Sequence, residues 1–398
     1  MANSKKTCFY LVALLLQLFF ISNLQPRTIG FQGQLTAWTL TNPEQSYETL
    51  LGLRYLPELS GRYTLSGSHT LDANIELDTY GIVFFKPDKT TTDSRLKLYR
   101  ASLRYASTRF EARIGLQKIN FGSAALLRPL MWFNRLDPRD PLQLTDGVYG
   151  LLLRYYLMNN ANIWLWGLIG NQDTRGWEVV PTAEKKPEWG GRIQYPVPAG
   201  EIAISMHHRE IDIVKGINSI SALPGLPSSF VNPDMIPAQD PVSENRIGFD
   251  GKWDIEIGFW TEAALIHQDI DWMPYKYQRM INVGADYTFG LGNGLHTLYE
   301  HFWYDMAEKA SAKGEGLEFS ALSASYPIGL MDQISGMLYY DWENSEWYRF
   351  INYQRTYDNL MIYIIGFWNP EQFQIYQTTQ QNSLFAGKGF QLMLVFNH

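Results

Sequence analysis

The sequence predicts an all-β fold, a transmembrane antiparallel up-and-down β-barrel of about 16–18 strands with 18 preferred. Three observations predict it. Segments of about ten residues with period-two alternation recur from Gln32 onward. The connections between them alternate short and long. Aromatics make up 15% of residues, while mean hydropathy is slightly negative; strands with one apolar and one wet face produce that combination.

The elements follow in order. Segments 31–41 and 46–56 open the sheet, the second with Tyr47, Leu51, Leu53 and Tyr55 on one face. Segment 70–80 alternates most clearly: Leu71, Ala73, Ile75 and Leu77 oppose Asp72, Asn74, Glu76 and Asp78. Segment 96–106 turns Tyr99, Ala101, Leu103 and Tyr105 outward, and 109–118 follows it. Segment 147–157 presents Tyr149, Leu151, Leu153 and Tyr155, with aromatics at the ends and aliphatics between, as an apolar band edged by aromatic girdles requires. Segment 161–170 puts Trp164 and Trp166 on one face and leaves open whether that face meets lipid or lumen. Segments 189–197, 201–210, 245–254, 256–267 and 279–289 continue the pattern, the last through Ile281, Val283, Ala285, Tyr287 and Phe289. Segments 294–304, 316–326, 333–342, 347–357, 360–368 and 386–396 complete it.

Most even-numbered connections are short, among them Ala106–Arg109, Met158–Ala161, Val197–Gly200, Asp254–Glu256, Gly290–Gly294 and Tyr357–Asn359. Several odd-numbered ones are long: 81–95, 119–146, 171–188, 211–244 and 369–385. A barrel with both termini in the periplasm sorts its loops in this way. A soluble sandwich shares the alternation along each strand but has no reason to sort its loops by parity. Two connections break the rule, a longer one at 57–69 and a very short one at 343–346.

Residues 1–29 read as a secretion signal, Lys5 and Lys6 preceding the apolar run Phe9–Ile21, with cleavage between about 22 and 30. The alternatives are an uncleaved anchor or a buried helix. Cys8 is the only cysteine and precedes the apolar run, so a lipoprotein reading fails and a disulfide framework is excluded. Residues 30–398 then form one barrel domain. The net charge of −7 with no basic block argues against a nucleic-acid partner.

The last segment carries the most specific local signal. Phe390, Leu392, Leu394 and Phe396 share one face, close to the chain end. Gly389, Leu392, Leu394 and Phe396 resemble the C-terminal assembly signal of Gram-negative outer-membrane barrels, although Asn397 and His398 follow the aromatic that usually stands last. The chain is thus similar in architecture to the porin-like barrels. The segment Arg113–Gly122 more weakly resembles the Gly-x-Gln…aromatic-Gly passage of porin-like and alginate-export-like barrels, with Leu116 where those commonly have Arg. The resemblance implies residence in the outer membrane, contact with its lipid and lipopolysaccharide, and insertion by the barrel-assembly machinery. It implies either a homo-oligomer, trimers being common among general porins, or a monomer, as many larger-stranded relatives are.

The inward positions nominate the functional residues. Asp72, Glu76 and Asp78 place acids on early strands, and Arg100, Arg104, Arg113 and Arg154 a row of guanidinium groups on the next ones. Opposed acidic and basic walls would set a transverse field selecting small hydrophilic or anionic solutes; structural ion pairs in a closed lumen are the alternative. By resemblance, the third external loop, 119–146, folds inward as the constriction, with Arg128, Arg135, Asp137, Arg139 and Asp140 at its rim. An external loop packed on its neighbours is the other reading. No Gly-x-Ser-x-Gly, Walker or His-Glu-x-x-His motif occurs, and neither a cofactor nor a metal is called for. His207 and His208 alternate faces, as do His296 and His301. We therefore expect a non-enzymatic channel for small hydrophilic solutes. Two rivals remain: an export or assembly barrel for an anionic surface polysaccharide, and a closed barrel with a binding or lipolytic role, since a Ser–His pair assembled from distant strands leaves no local motif.

Overall fold

The computed structural model describes residues 28–44, 49–220, 241–270, 275–370 and 385–398. The signal reading for residues 1–29 falls almost wholly outside these, as do Tyr47 and Glu48. Eighteen strands follow the chain: β1 Thr28–Thr41, β2 Thr49–Ser66, β3 His69–Phe85, β4 Thr90–Ala106, β5 Phe110–Gln117, β6 Val148–Tyr156, β7 Asn162–Leu168, β8 Glu188–Val197 and β9 Gly200–Ile211. Helix α1, Ile213–Ile220, precedes β10 Val242–Asp254, β11 Gly258–Gln268, β12 Tyr277–Phe289, β13 Leu295–Ala307 and β14 Glu315–Pro327. β15 Asp332–Asp341, β16 Glu346–Thr356, β17 Leu360–Trp368 and β18 Lys388–Asn397 finish the sheet.

Every neighbouring pair is antiparallel, and β1 pairs with both β2 and β18, from Gln34 opposite Asn397 to Thr41 opposite Phe390. Closure removes the free edge that a terminal apolar strand would otherwise expose. His398 extends the seam by exchanging both backbone hydrogen bonds with Gly33 at 3.0 Å.

Alternation assigns the two faces as the residue types require. On β6, Tyr149, Leu151 and Tyr155 are exposed outward while Val148 and Leu152 are fully buried within. On β18, Phe390, Leu394 and Phe396 point outward while Gln391, Met393 and Val395 are buried. The outward apolar side chains form a lipid-facing belt.

The structure corrects the expected boundaries at two places. Segment 57–69 is not a long connection: β2 runs through it to a two-residue turn at Gly67–Ser68, Gly67 adopting φ +53°. Pro57 removes one ladder donor, so the pairing of β2 with β3 skips from Tyr55–Thr79 to Glu58–Glu76, but β1 still pairs through it. Segment 81–95 shrinks to a turn at 86–89, because Thr90, Thr91 and Thr92 pair with Phe85, Phe84 and Val83. The odd connection that this shortens weakens the parity pattern; the even connections stay at two to five residues throughout. A bulge where Glu76 and Leu77 face Arg100 and Leu98 turns Tyr99 away from its expected lipid-facing position, and its hydroxyl accepts the Thr145 N–H at 3.2 Å.

Candidate functional site: a lumen divided by an inward loop

The long connection between β5 and β6, residues 118–147, crosses the lumen and docks on the opposite wall. Gly122 adopts φ +97°, and a Cβ there would collide with the Glu262 carboxylate on β11. Glycine is what lets the chain turn this closely against the wall. The backbone N–H groups that follow then point at two buried acids. Ala124 and Leu130 donate to Glu262 at 2.7 and 3.2 Å. Ala125, Leu126 and Leu127 donate to Glu300 on β13 at 2.6, 3.1 and 2.6 Å. Glu300 also accepts from Trp260 and Asn282, and Asn282 donates to the Leu127 carbonyl at 2.8 Å. A run of amides would be costly to bury unpaired, and two carboxylates supply what water would otherwise provide.

Apolar residues of the loop fill the space around this cradle. Phe121, Leu126, Leu127, Leu130, Trp132 and Phe133 pack with Val148, Leu152, Trp166 and Phe302 of the wall. This settles the face of Trp164 and Trp166. Trp166 is 4% exposed, stacks on Phe121 and donates to His207 at 3.1 Å, whereas Leu165 between them faces outward.

A second connection, 169–187, also turns inward, which the sequence reading did not anticipate. Trp177 donates to the Arg128 carbonyl at 2.8 Å and stacks on Phe302. Glu178 is buried among Arg175, Arg209 and Arg246 at 3.2, 3.1 and 2.7 Å. Burial pushes its carboxyl up, but the three guanidinium groups outweigh that and hold it below the usual carboxylate range. Its folded value being depressed, its contribution is complete above the ordinary value of 4.5 and lost as pH falls below it. Acidification below about pH 4.5 is therefore expected to loosen this loop, read as new protease cleavage within 169–187 while the strands stay folded.

The nominated loop residues serve the loop itself. Arg128 is buried and donates to Asn120 and the Phe121 carbonyl at 2.6 and 2.9 Å. Arg135 donates to the Gly176 carbonyl at 3.3 Å, joining the two inward loops, and burial pulls its guanidinium below its ordinary value. Arg139 is 4% exposed and forks onto Asp137 at 2.8 and 2.9 Å. Asp140 accepts the Leu142 and Leu144 N–H groups, and burial raises it above its usual range.

The expected opposed walls are not formed. Acids and guanidinium groups instead alternate on adjacent strands of one wall, since the register sets Asp72 opposite both Arg62 and Arg104. Asp72 pairs with Arg62 and Arg104 at 2.6 and 2.9 Å. Glu111 gathers Arg104, Arg113 and Arg154 at 2.8, 3.3 and 3.6 Å. Asp78 holds Arg54 and Arg95 at 3.2 and 3.3 Å. Glu76 faces Arg100, which is buried and ties the wall to the loop through the Thr145 carbonyl at 2.6 Å. Arg54, Arg95, Arg104, Arg113 and Arg154 keep 18–39% of their side chains exposed, so the β2–β6 side of the lumen is wet. The interior thus has two halves: a dry packing of the inward loops against β7–β14, apolar around Glu262 and Glu300 and ion-paired on β8–β10, and a more solvent-exposed charged strip along β2–β6.

Sequence reasoning gave Glu262 and Glu300 no role. The available signal was an acid set at the middle of an otherwise apolar strand, as in Trp260–Ile266.

By sequence the chain matches no family model and no curated protein. By structure, OccAB4 of Acinetobacter baumannii superimposes with a TM-score of 0.55 at 7% identity, over 94% of this chain and 99% of that one. OmpT of Vibrio cholerae, an outer-membrane protein in its trimer form, gives 0.51 at 11% identity over 94% and 100%. Wzi of Escherichia coli, an outer-membrane protein involved in group 1 capsule assembly and a carbohydrate-binding β-barrel, gives 0.51 at 13% over 92% and 84%. Such identities speak for fold alone. In fold, the chain takes its place among the outer-membrane porins and related barrels, as a closed 18-stranded antiparallel β-barrel.

Proposed function

We propose that this protein is an outer-membrane channel for small hydrophilic solutes, with a preference for anions. One observation carries the reading: the loop docked on Glu262 and Glu300 fills one side of the lumen and leaves the β2–β6 strip, where guanidinium groups remain partly exposed, as the wet route. Along it Arg54, Arg62, Arg95, Lys97, Arg100, Arg104, Arg113 and Arg154 outnumber Glu58, Asp72, Glu76, Asp78, Asp93 and Glu111. A basic, water-filled strip favours anions. Secretion through the segment 1–29, insertion by the barrel-assembly machinery at Gly389, Leu392, Leu394 and Phe396, residence among outer-membrane lipid and lipopolysaccharide, self-association and the absence of an enzymatic role in the lumen belong to the same reading.

Planar-bilayer recording of the purified barrel tests it. Discrete conductance steps with a reversal potential displaced toward that of chloride in a potassium chloride gradient are expected. A barrel that inserts yet conducts nothing refutes the proposal. Wzi's carbohydrate binding motivates the polysaccharide reading, under which anionic oligosaccharide blocks the current.

A further inference from the structure

The outer face carries an arrangement unconnected with the lumen. On β13 and β14, His301 lies directly opposite Ser320, and Trp303 opposite Glu318. Phe302 and Phe319 between them are buried inside, so His301, Ser320 and Glu318 face outward. His301 Nδ1 is 2.9 Å from Ser320 Oγ, and His301 Nε2 is 2.9 Å from Glu318 Oε1. The edge-on Trp303 ring, 4.0 Å from the imidazole, restrains its plane. Trp342 Nε1–H donates to the same hydroxyl at 2.9 Å, and the Tyr299 phenol shares a hydrogen bond with it at 3.2 Å.

Hydroxyl, imidazole and carboxylate in one hydrogen-bonded line are the components of an activated serine nucleophile, recognised by geometry and not by chain order. With the Nε2–H directed at Glu318, the Nδ1 lone pair is free to receive the serine proton. Position decides the substrate. Glu318 lies eight residues along β14 from Tyr326 at the short-turn end, roughly 20 Å up a strand tilted about 45°, near the upper edge of an apolar band about 25 Å tall. Exposed Trp303 and Trp342 mark that boundary, and Leu322 and Leu338 continue the belt below. Lipid acyl esters of the outer leaflet reach this level.

We infer that Ser320, His301 and Glu318 form a lipid-facing hydrolytic site for acyl esters of outer-leaflet lipids. Ser320 Oγ attacks the ester carbonyl carbon while its proton passes to His301 Nδ1, and Glu318 steadies the imidazolium through Nε2–H. Trp342 N–H and the Tyr299 hydroxyl, both in contact with Ser320 Oγ, are the neighbouring groups that can donate to the oxyanion. Collapse breaks the bond to the lipid alkoxide, which departs with the proton from His301. Water, deprotonated by the same imidazole, then releases the fatty acid from acyl-Ser320.

The test uses the whole folded barrel in detergent. A fluorophosphonate probe is expected to leave an adduct on Ser320, located by peptide mass, and fatty acid is expected from phosphatidylethanolamine vesicles or from purified lipopolysaccharide, run as separate arms to identify the source. Ser320→Ala abolishes both signals, and Glu318→Gln slows release about 100-fold. Both variants keep the wild-type conductance, so this inference and the channel reading fail independently. Absence of the Ser320 adduct, or of release from both lipids, overturns it.

Discussion

Replacing Glu300 with alanine is expected to release the inward loop and produce the largest functional change of any single substitution in the lumen. The carboxylate is fully buried and accepts hydrogen bonds from three consecutive loop amides, Trp260 and Asn282. Each buried donor left unpaired costs about 1–3 kcal/mol, so loss of the three amide bonds costs the docked loop roughly 3–9 kcal/mol, on the scale of a whole local ordering transition. Only the loop need move, because the strand ladder of β13 is untouched. Glu300→Ala therefore yields a barrel with native heat-modifiable migration, cleavage sites for protease within 118–147 and a noisier, larger conductance. Glu300→Gln keeps an acceptor oxygen and gives a smaller change in the same direction. An Ala variant with unaltered conductance and a protected loop would show that the amides do not depend on this acid.

The second large effect is on stability. Arg209→Ala is expected to cost roughly 3–5 kcal/mol, read as a lowered midpoint in urea unfolding from lipid vesicles, because removal of one member leaves other charges buried without compensation. Arg209 contacts Glu244 at 2.5 and 3.0 Å, Glu178 at 3.1 Å, Thr182 at 3.2 Å and the Val180 carbonyl at 3.0 Å. Lysine cannot reproduce that fork, so Arg209→Lys recovers little. Arg62→Ala, which breaks a pair at 2.6 Å on the wet side with the arginine two-thirds exposed, should cost under about 1 kcal/mol. Equal costs for the two alanine variants would contradict the division of the lumen into a dry and a wet half.

Much of the fold was legible because period two is a strong signal: each of the eighteen segments overlaps a strand, and Leu71–Thr79 lies entirely within β3. Boundaries slipped where local residue types misled. Segment 57–69 reads as a connection, yet β1 pairs across Pro57 and Gly61 within it, and a proline costs only one ladder bond. The site was less legible, for a physical reason. Alternation says which face a residue occupies but not its neighbour on the next strand, which depends on register. Asp72 and Arg104 were both read as inward, and only pairing shows them in contact rather than on opposed walls. Glu300 and the amides of Ala125–Leu127 lie seven to eight strands apart in a sheet of eighteen, and no local pattern announces such a contact. Trp166 could not be assigned to a face because an inward loop makes the lumen there as apolar as the lipid.

Thiol modification during single-channel recording tests the central claim most directly. Cys8 is the chain's only cysteine, so one introduced at position 104 is a unique target once the segment 1–29 is removed. Arg104→Cys on the β4 wall, treated with a bulky negatively charged methanethiosulfonate, is predicted to lose about half of its conductance and its anion preference. An open channel whose current and selectivity are indifferent to modification there would mean that solutes do not pass along the guanidinium strip.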